Sequence, residues 1–240
     1  MTIKKHIPNT ITCCNLISGC IATSFAFSGQ LALALLWIVI GAVFDFFDGM
    51  VARLLHVSSP IGKELDSLAD DVTFGVAPAT MVYYELCVID YPGFLEPLRS
   101  YIPFAAFVIA AFSALRLAKF NLDERQAMGF IGLPTPANAL FWGSLLAGMP
   151  WLVEQGRYGL LIMAVLIALS SWLLVCELPM FALKFKQWGL KGNEVKYGFI
   201  VMSAAVLVVA GVLRGFWVVI VLYVLVSLIL HLSNRNQANA

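Results

Sequence analysis

The sequence predicts an all-α, polytopic membrane bundle of about eight transmembrane helices, and three observations carry that prediction. Hydrophobic residues make up 61% of the 240-residue chain and charged residues only 12%, whereas a soluble domain is nearer half apolar and a quarter charged. Mean hydropathy is +0.89. Apolar runs recur from one end to the other, each near the ~20 residues that cross a hydrocarbon core of ~30 Å as a helix. The net charge of +1 offers no basic surface for nucleic acid, so a nucleic-acid partner is not expected.

Taken in order, the segments fall at roughly 9–27, 31–54, 65–86, 102–120, 135–153, 159–178, 196–213 and 216–232. The first follows Lys4 and Lys5 as a signal peptide would. However, Asn9, Thr10, Thr12 and Asn15 interrupt its apolar run and no clean small-residue cleavage site follows, so it reads as a retained helix. The second and third carry acidic residues at their facing ends. The fourth ends on Arg116 and Lys119. Pro134, Pro136 and Pro150 crowd the fifth, and a lysine-rich stretch (Lys184, Lys186, Lys191, Lys196) follows the sixth. No repeat, low-complexity tract or soluble domain interrupts the series, so residues 1–240 form a single membrane domain. Cys13, Cys14, Cys20, Cys87 and Cys176 lack metal-ligand spacing and read as small membrane hydrophobes. His6, His56 and His231 show no shared spacing that would make a ligand set.

Orientation follows from charge. With the N-terminus in the cytoplasm, twelve Lys and Arg residues fall on inner segments and only Arg99, Arg157 and Arg214 on outer ones. This is a strong positive-inside bias. It places both termini in the cytoplasm and implies a multi-pass protein of the cytoplasmic membrane, in contact with membrane lipid.

Six of the fourteen acidic residues crowd between Asp45 and Asp71, flanked by apolar sequence on both sides. Asp45 and Asp48 are three apart and share a helix face; Asp66 and Asp70 are four apart and share another. Asp71 points about 100° away from the Asp70 face. Glu64 reads as a solvated loop charge. Helix capping would explain one or two of these carboxylates, and Asp66 and Asp70 at a helix start would gain from the macrodipole. Asp45 and Asp48, however, lie at the wrong end of their helix. A carboxylate within the membrane costs at least ~2.5 kcal/mol, so four facing one another require a cation. Oxygen-only ligands suit Mg2+, Mn2+ or Ca2+, and two such ions can clamp phosphoryl oxygens during a displacement. Gly49, Ala52 and Gly62 leave room for a phosphate ligand beside the backbone. The window therefore reads as a metal site for phosphoryl or nucleotidyl substrates, open to the cytoplasm.

The pattern Asp45-x2-Asp48-Gly49-x2-Ala52-Arg53-x8-Gly62-x3-Asp66-x3-Asp70 resembles the signature of the CDP-alcohol phosphatidyltransferase family at every position. Eight fixed positions over 26 residues leave little room for coincidence. The resemblance implies a core over about residues 1–180, with the last two segments (196–232) additional. It implies transfer of a phosphatidyl group from CDP-diacylglycerol to an alcohol, with release of CMP. It also implies two Mg2+ or Mn2+ ions on Asp45, Asp48, Asp66 and Asp70, with Ca2+ as an alternative occupant. Asp70 would double as general base, and the assembly would be a homodimer.

Four further stretches are similar to the branch of the family that uses L-serine: Ile7–Gly19, Ser67–Ala79, Ala114–Asn121 and Gly132–Ala139. Asn9, Thr12 and Asn15 line one side of the first segment; they suit cytidine recognition or, alternatively, capping and interhelical hydrogen bonds. With Asp48, Gly49, Ala52, Arg53 and Gly62 they make the expected CDP-diacylglycerol site. Arg116, Lys119 and Asn121 cluster at the inner end of the fourth segment, where a guanidinium can fork onto a carboxylate or phosphate. Thr135 and Asn138 enter the fifth segment at the same level, and Lys184 is a further phosphate candidate. Glu177 has no explanation at this stage. Glycerol phosphate, inositol phosphate or choline remain alternative acceptors. A cation transporter is the alternative from a different class, though transporters build midplane sites from broken helices or repeats.

Overall fold

A computed structural model describes residues 6–123, 125, 130–149, 157–181, 189–190 and 193–238. Helix α1 (His6–Phe27) and helix α2 (Leu31–Leu54) form a hairpin through a turn at Gly29. Helix α3 (Pro60–Asp70) continues without a break through a π-helical segment (Asp71–Val76) into α4 (Ala77–Val88). A 3-10 lead-in (Ile102–Phe107) opens α5 (Val108–Leu122). Then come α6 (Thr135–Gly148), α7 (Arg157–Val175), α8 (Glu194–Ala210) and α9 (Val212–Ala238). With α3 and α4 joined, the described residues run as eight helices, so the all-α bundle is observed. Five stretches are long and apolar enough to cross a membrane: His6–Phe27, Leu31–Leu54, Ile102–Leu122, Tyr158–Val175 and Leu213–Ser233. The protein is membrane-embedded.

Three boundaries differ from the sequence reading. The third helix starts at Pro60, not near 65, because Ser59 caps it: its Oγ accepts from the Gly62 amide at 3.0 Å, and Pro60 takes the first turn. Glu64 is therefore an exposed helical residue rather than a loop charge. Asp66 and Asp70 sit well inside the helix, beyond the turn where a macrodipole would favour them. The fifth helix ends at Gly148 rather than 153, and residues 150–153 lie outside the described residues. Pro150 disfavours helical backbone at Met149, which adopts φ −136°. A Cβ on Gly148 would also stand 2.7 Å from the Leu213 carbonyl. The last two helices divide at Gly211, whose φ of 76° breaks the run there rather than near 214.

The core packs α1, α2, α4, α5, α6 and α7 around Ala22, Ile38, Phe74, Met81, Ile109 and Trp142. Trp142 Nε1 donates to Ser170 Oγ at 3.1 Å and ties α6 to α7. A second cluster gathers α8 and α9 around Phe199 and Tyr223. A two-residue antiparallel pairing, β1 (Phe130–Ile131) with β2 (Pro179–Met180), is the one strand pairing among the described residues. All five cysteines are free thiols.

Where α1, α2 and the π segment meet, there is no space for side chains. A Cβ on Gly19 would lie 2.8 Å from Thr73 Cα, and one on Gly41 would lie 2.5 Å from Thr73 Cγ2. Thr73 Oγ1 donates to the Asn15 carbonyl at 3.0 Å across this contact. The π turn places an extra residue directly after Asp70, an arrangement often found at functional sites.

Candidate active site

The aspartates converge at one end of the bundle. Asp45, Asp48 and Asp66 each offer a carboxylate oxygen, and these oxygens lie within 4.8 Å of one another. Asp70 stands near enough to Asp45 for the two carboxyl groups to interact. Two residues of α1 hold the set in place. Thr12 Oγ1 donates to Asp48 Oδ2 at 2.6 Å, and Asn15 Nδ2 donates to Asp70 Oδ1 at 3.1 Å. Asp48 and Asp70 are buried, and Asp66 Oδ1 is buried with no hydrogen-bond partner. The described residues bring no cation within salt-bridge distance of the four carboxylates. An all-oxygen donor set with an orphaned buried oxygen fits a hard divalent cation.

A cavity of about 270 Å³ opens beside the trio. Asn9, Thr12, Asp48, Gly49, Ala52, Gly62 and Asp66 line it, which gathers most of the expected nucleotide-side residues around one space. A Cβ on Gly49 would meet nothing within 4 Å, so this glycine faces open space. A Cβ on Gly62 would meet Asn9 Oδ1 at 3.1 Å and intrude on that amide. Ser58, Ser59 and Lys63 also line the cavity and were missed from the sequence, although they flank Gly62 inside the signature window.

Other expected residues stand elsewhere. Arg53 is exposed, outside the cavity, with Nε donating to the Gly49 carbonyl at 3.0 Å. Asn15 lies behind the aspartates rather than in the cavity. Asn121 joins α5 to α3: its Nδ2 donates to Ser67 Oγ at 2.7 Å, and its carbonyl accepts from Lys63 Nζ at 2.9 Å. Arg116 is buried, its Nε lacks a partner, and its guanidinium stacks 4.8 Å over the Phe120 ring. With Lys119, Asp123 and Glu177 it lines a separate cavity of about 20 Å³, about the volume of one water probe. Glu177 gains an explanation here: Arg125 pairs with it at 3.3 Å and with Asp123 at 2.7 Å, joining the ends of α5 and α7. Thr135 is fully buried with an unpartnered hydroxyl, and Asn138 lines an apolar crevice between α6, α7 and α9. Lys184 lies outside the described residues.

The sequence model for CDP-alcohol phosphatidyltransferase matches residues 5–176. The chain belongs to the CDP-alcohol phosphatidyltransferase family. That match contains the whole aspartate cavity and ends with α7; α8 and α9 lie beyond it. A Bacillus subtilis protein named CDP-diacylglycerol–serine O-phosphatidyltransferase is 34% identical over 175 residues, covering 72% of this chain and 89% of that protein. A Helicobacter pylori protein of the same name is 38% identical over 135 residues, or 55% of this chain and 54% of its own length. A Mycobacterium leprae protein, again so named, is 30% identical over 229 residues, covering 90% of this chain and 71% of its own length.

Proposed function

We propose that this chain transfers the phosphatidyl group of CDP-diacylglycerol to L-serine, giving phosphatidylserine and CMP. The observation that carries the reading is the cavity in which the family's aspartates face the Asn9, Thr12, Gly49 and Gly62 side. The names of the relatives from three bacterial genera support serine as acceptor.

Asn9 contacts the cytidine side of the donor, and Gly49, Ala52 and Gly62 let its diphosphate approach the backbone. Asp45, Asp48 and Asp66, with Asp70 beside them, would hold Mg2+ or Mn2+. Bound there, the ions supply positive charge against the diphosphate and the departing CMP. Thr12 fixes Asp48 and Asn15 fixes Asp70, so neither carboxylate must reorient during the reaction. Asp70 takes the serine hydroxyl proton as that oxygen attacks the β-phosphorus. The bond from the β-phosphorus to the bridging oxygen breaks, and CMP leaves with the electron pair. Arg116, buried with an unpartnered Nε, is the proposed partner of the serine carboxylate. Lys63 and Asn121 brace the α3 wall of the cavity.

The enzyme works in the cytoplasmic membrane as a homodimer, with its aspartate end toward the cytoplasm. Lys63, Lys119 and Arg125 lie at that end, in keeping with the positive-inside rule. The donor's acyl tails stay in the bilayer while its head enters the cavity.

The test supplies purified enzyme with CDP-diacylglycerol and either radiolabelled L-serine or glycerol phosphate, with and without chelator. Serine should enter lipid with equimolar CMP, and chelation should abolish the reaction until Mg2+ or Mn2+ is restored. Incorporation of glycerol phosphate with serine ignored would overturn the acceptor, and full turnover in excess chelator would overturn the metal site.

A further inference from the structure

A crevice of about 220 Å³ lies between α6, α7 and α9, apart from the aspartate cavity and sharing no residue with it. Its walls are almost entirely carbon: Phe141 from α6, Leu166 and Leu173 from α7, Val221 and Val224 from α9. Two polar residues reach it. Ser170 is satisfied, accepting from Trp142 Nε1 at 3.1 Å and donating to the Ile167 carbonyl at 3.3 Å. Asn138 is not satisfied: its side chain is fully buried, and neither Nδ2 nor Oδ1 has a partner. An amide buried this way is destabilising unless something hydrogen-bonds to it.

The surroundings restrict what that partner is. α7 and α9 lie in stretches long and apolar enough to cross a membrane, so the crevice opens toward lipid. Leu169 and Leu225, on its rim, are 47% and 48% exposed. Asn138 lies three residues into α6, about 4.5 Å from its first residue. A phospholipid carries its ester carbonyls where the interfacial region gives way to hydrocarbon, next to the acyl chains that such carbon walls would hold. From there the apolar wall of α7 runs from Leu173 to Leu166, about 10 Å deeper. One wall, α9, belongs to the part of the chain beyond the family match.

We infer that this crevice binds an ester-linked acyl chain of a bilayer phospholipid, with Asn138 Nδ2 donating to the ester carbonyl. The chain then lies along the α7 and α9 leucines and valines. This site is separate from the donor site, and its test does not depend on the proposed activity.

The experiment uses the purified full chain and a phosphatidylcholine with a photoreactive diazirine in its acyl chain, prepared as a diester and as a diether. Labelled peptides are mapped by mass spectrometry. The diester should label α6, α7 or α9 at the crevice. The diether, which lacks the carbonyl, should label it about five-fold less, the weight of one hydrogen bond. Asn138→Leu should bring diester labelling down to the diether level. The two lipids are compared on the unaltered protein, so the test survives a variant that fails to fold. Equal labelling by both lipids would mean that water satisfies the amide, and would overturn the inference. So would labelling that avoids the crevice altogether.

Discussion

Thr12→Val is the sharpest perturbation of the site, because it removes one hydroxyl and leaves the shape. Thr12 Oγ1 lies 2.6 Å from Asp48 Oδ2 and 3.1 Å from the Pro8 carbonyl. A hydroxyl has one proton, and the shorter contact to the carboxylate takes it. A separation that short belongs to a charge-assisted bond, worth about 1.5–3 kcal/mol. Removing it frees Asp48 to turn away from Asp45 and Asp66, so the loss should fall on cation binding. At 1.4 kcal/mol per decade this is a roughly 10- to 100-fold rise in the metal concentration needed for half-maximal activity. The maximal rate at saturating metal should stay near that of the unaltered enzyme, because Asp70 and its Asn15 contact are untouched. The assay is CMP release against Mn2+ concentration for both proteins, with thermal denaturation in detergent as the check on folding. An unchanged activation curve would refute the reasoning, since Thr12 would then not hold Asp48. A fall in rate that excess metal leaves unrepaired would instead assign Thr12 to the nucleotide.

Asp70→Asn keeps shape and an oxygen ligand but removes the basic carboxylate. Turnover should fall by ~10²-fold or more with donor affinity largely kept, whereas Asp45→Asn should weaken metal affinity and recover partly at high metal. Near-normal turnover of Asp70→Asn in excess metal would make Asp70 a ligand only. Gly49→Leu places a side chain in open space, so thermal stability should hold while the Michaelis constant for CDP-diacylglycerol rises by an order of magnitude or more; an unchanged constant would put the donor elsewhere. Gly19→Val drives a side chain against the Thr73 backbone, so it should destabilise by at least the ~1–3 kcal/mol typical of overpacking, read as a lower denaturation temperature.

What the sequence made legible was local and periodic. Asp45 with Asp48, and Asp66 with Asp70, share faces by helical spacing alone, and the apolar runs mark the helices through which they are presented. Features that depend on a distant partner were not legible. Glu177 has no reason to exist until Arg125, far off in sequence, is seen beside it. Pairing of Phe130–Ile131 with Pro179–Met180 has no period to announce it in two-residue strands. Helix rotation was equally hidden. Thr135 and Asn138 enter the same proline-stiffened helix, yet Asn138 faces the α7–α9 crevice rather than the aspartates. The true start of the third helix was readable, since Ser59-Pro60 is a cap followed by a first-turn proline. A hydropathy boundary obscured it because Lys63 and Glu64 are charged.

Small residues show most clearly why composition alone underdetermines such a site. Gly19, Gly41, Gly49 and Gly62 look alike in the sequence, all within or beside helices, but their surroundings assign them opposite roles. At Gly19 and Gly41 the missing side chain is replaced by protein: Thr73 fills the space, and its hydroxyl fixes the Asn15 backbone. Because the Asn15 side chain in turn holds Asp70, this close packing sets the position of the proposed base. At Gly49 the missing side chain is replaced by nothing, and the space belongs to the cavity. Gly19 and Gly41 therefore bring the helices together tightly enough to hold the carboxylates still, and Gly49 keeps open the room those carboxylates face. Valine at the first pair should be read in stability, and leucine at Gly49 in substrate affinity. A variant of either kind that moved the wrong quantity would break the division.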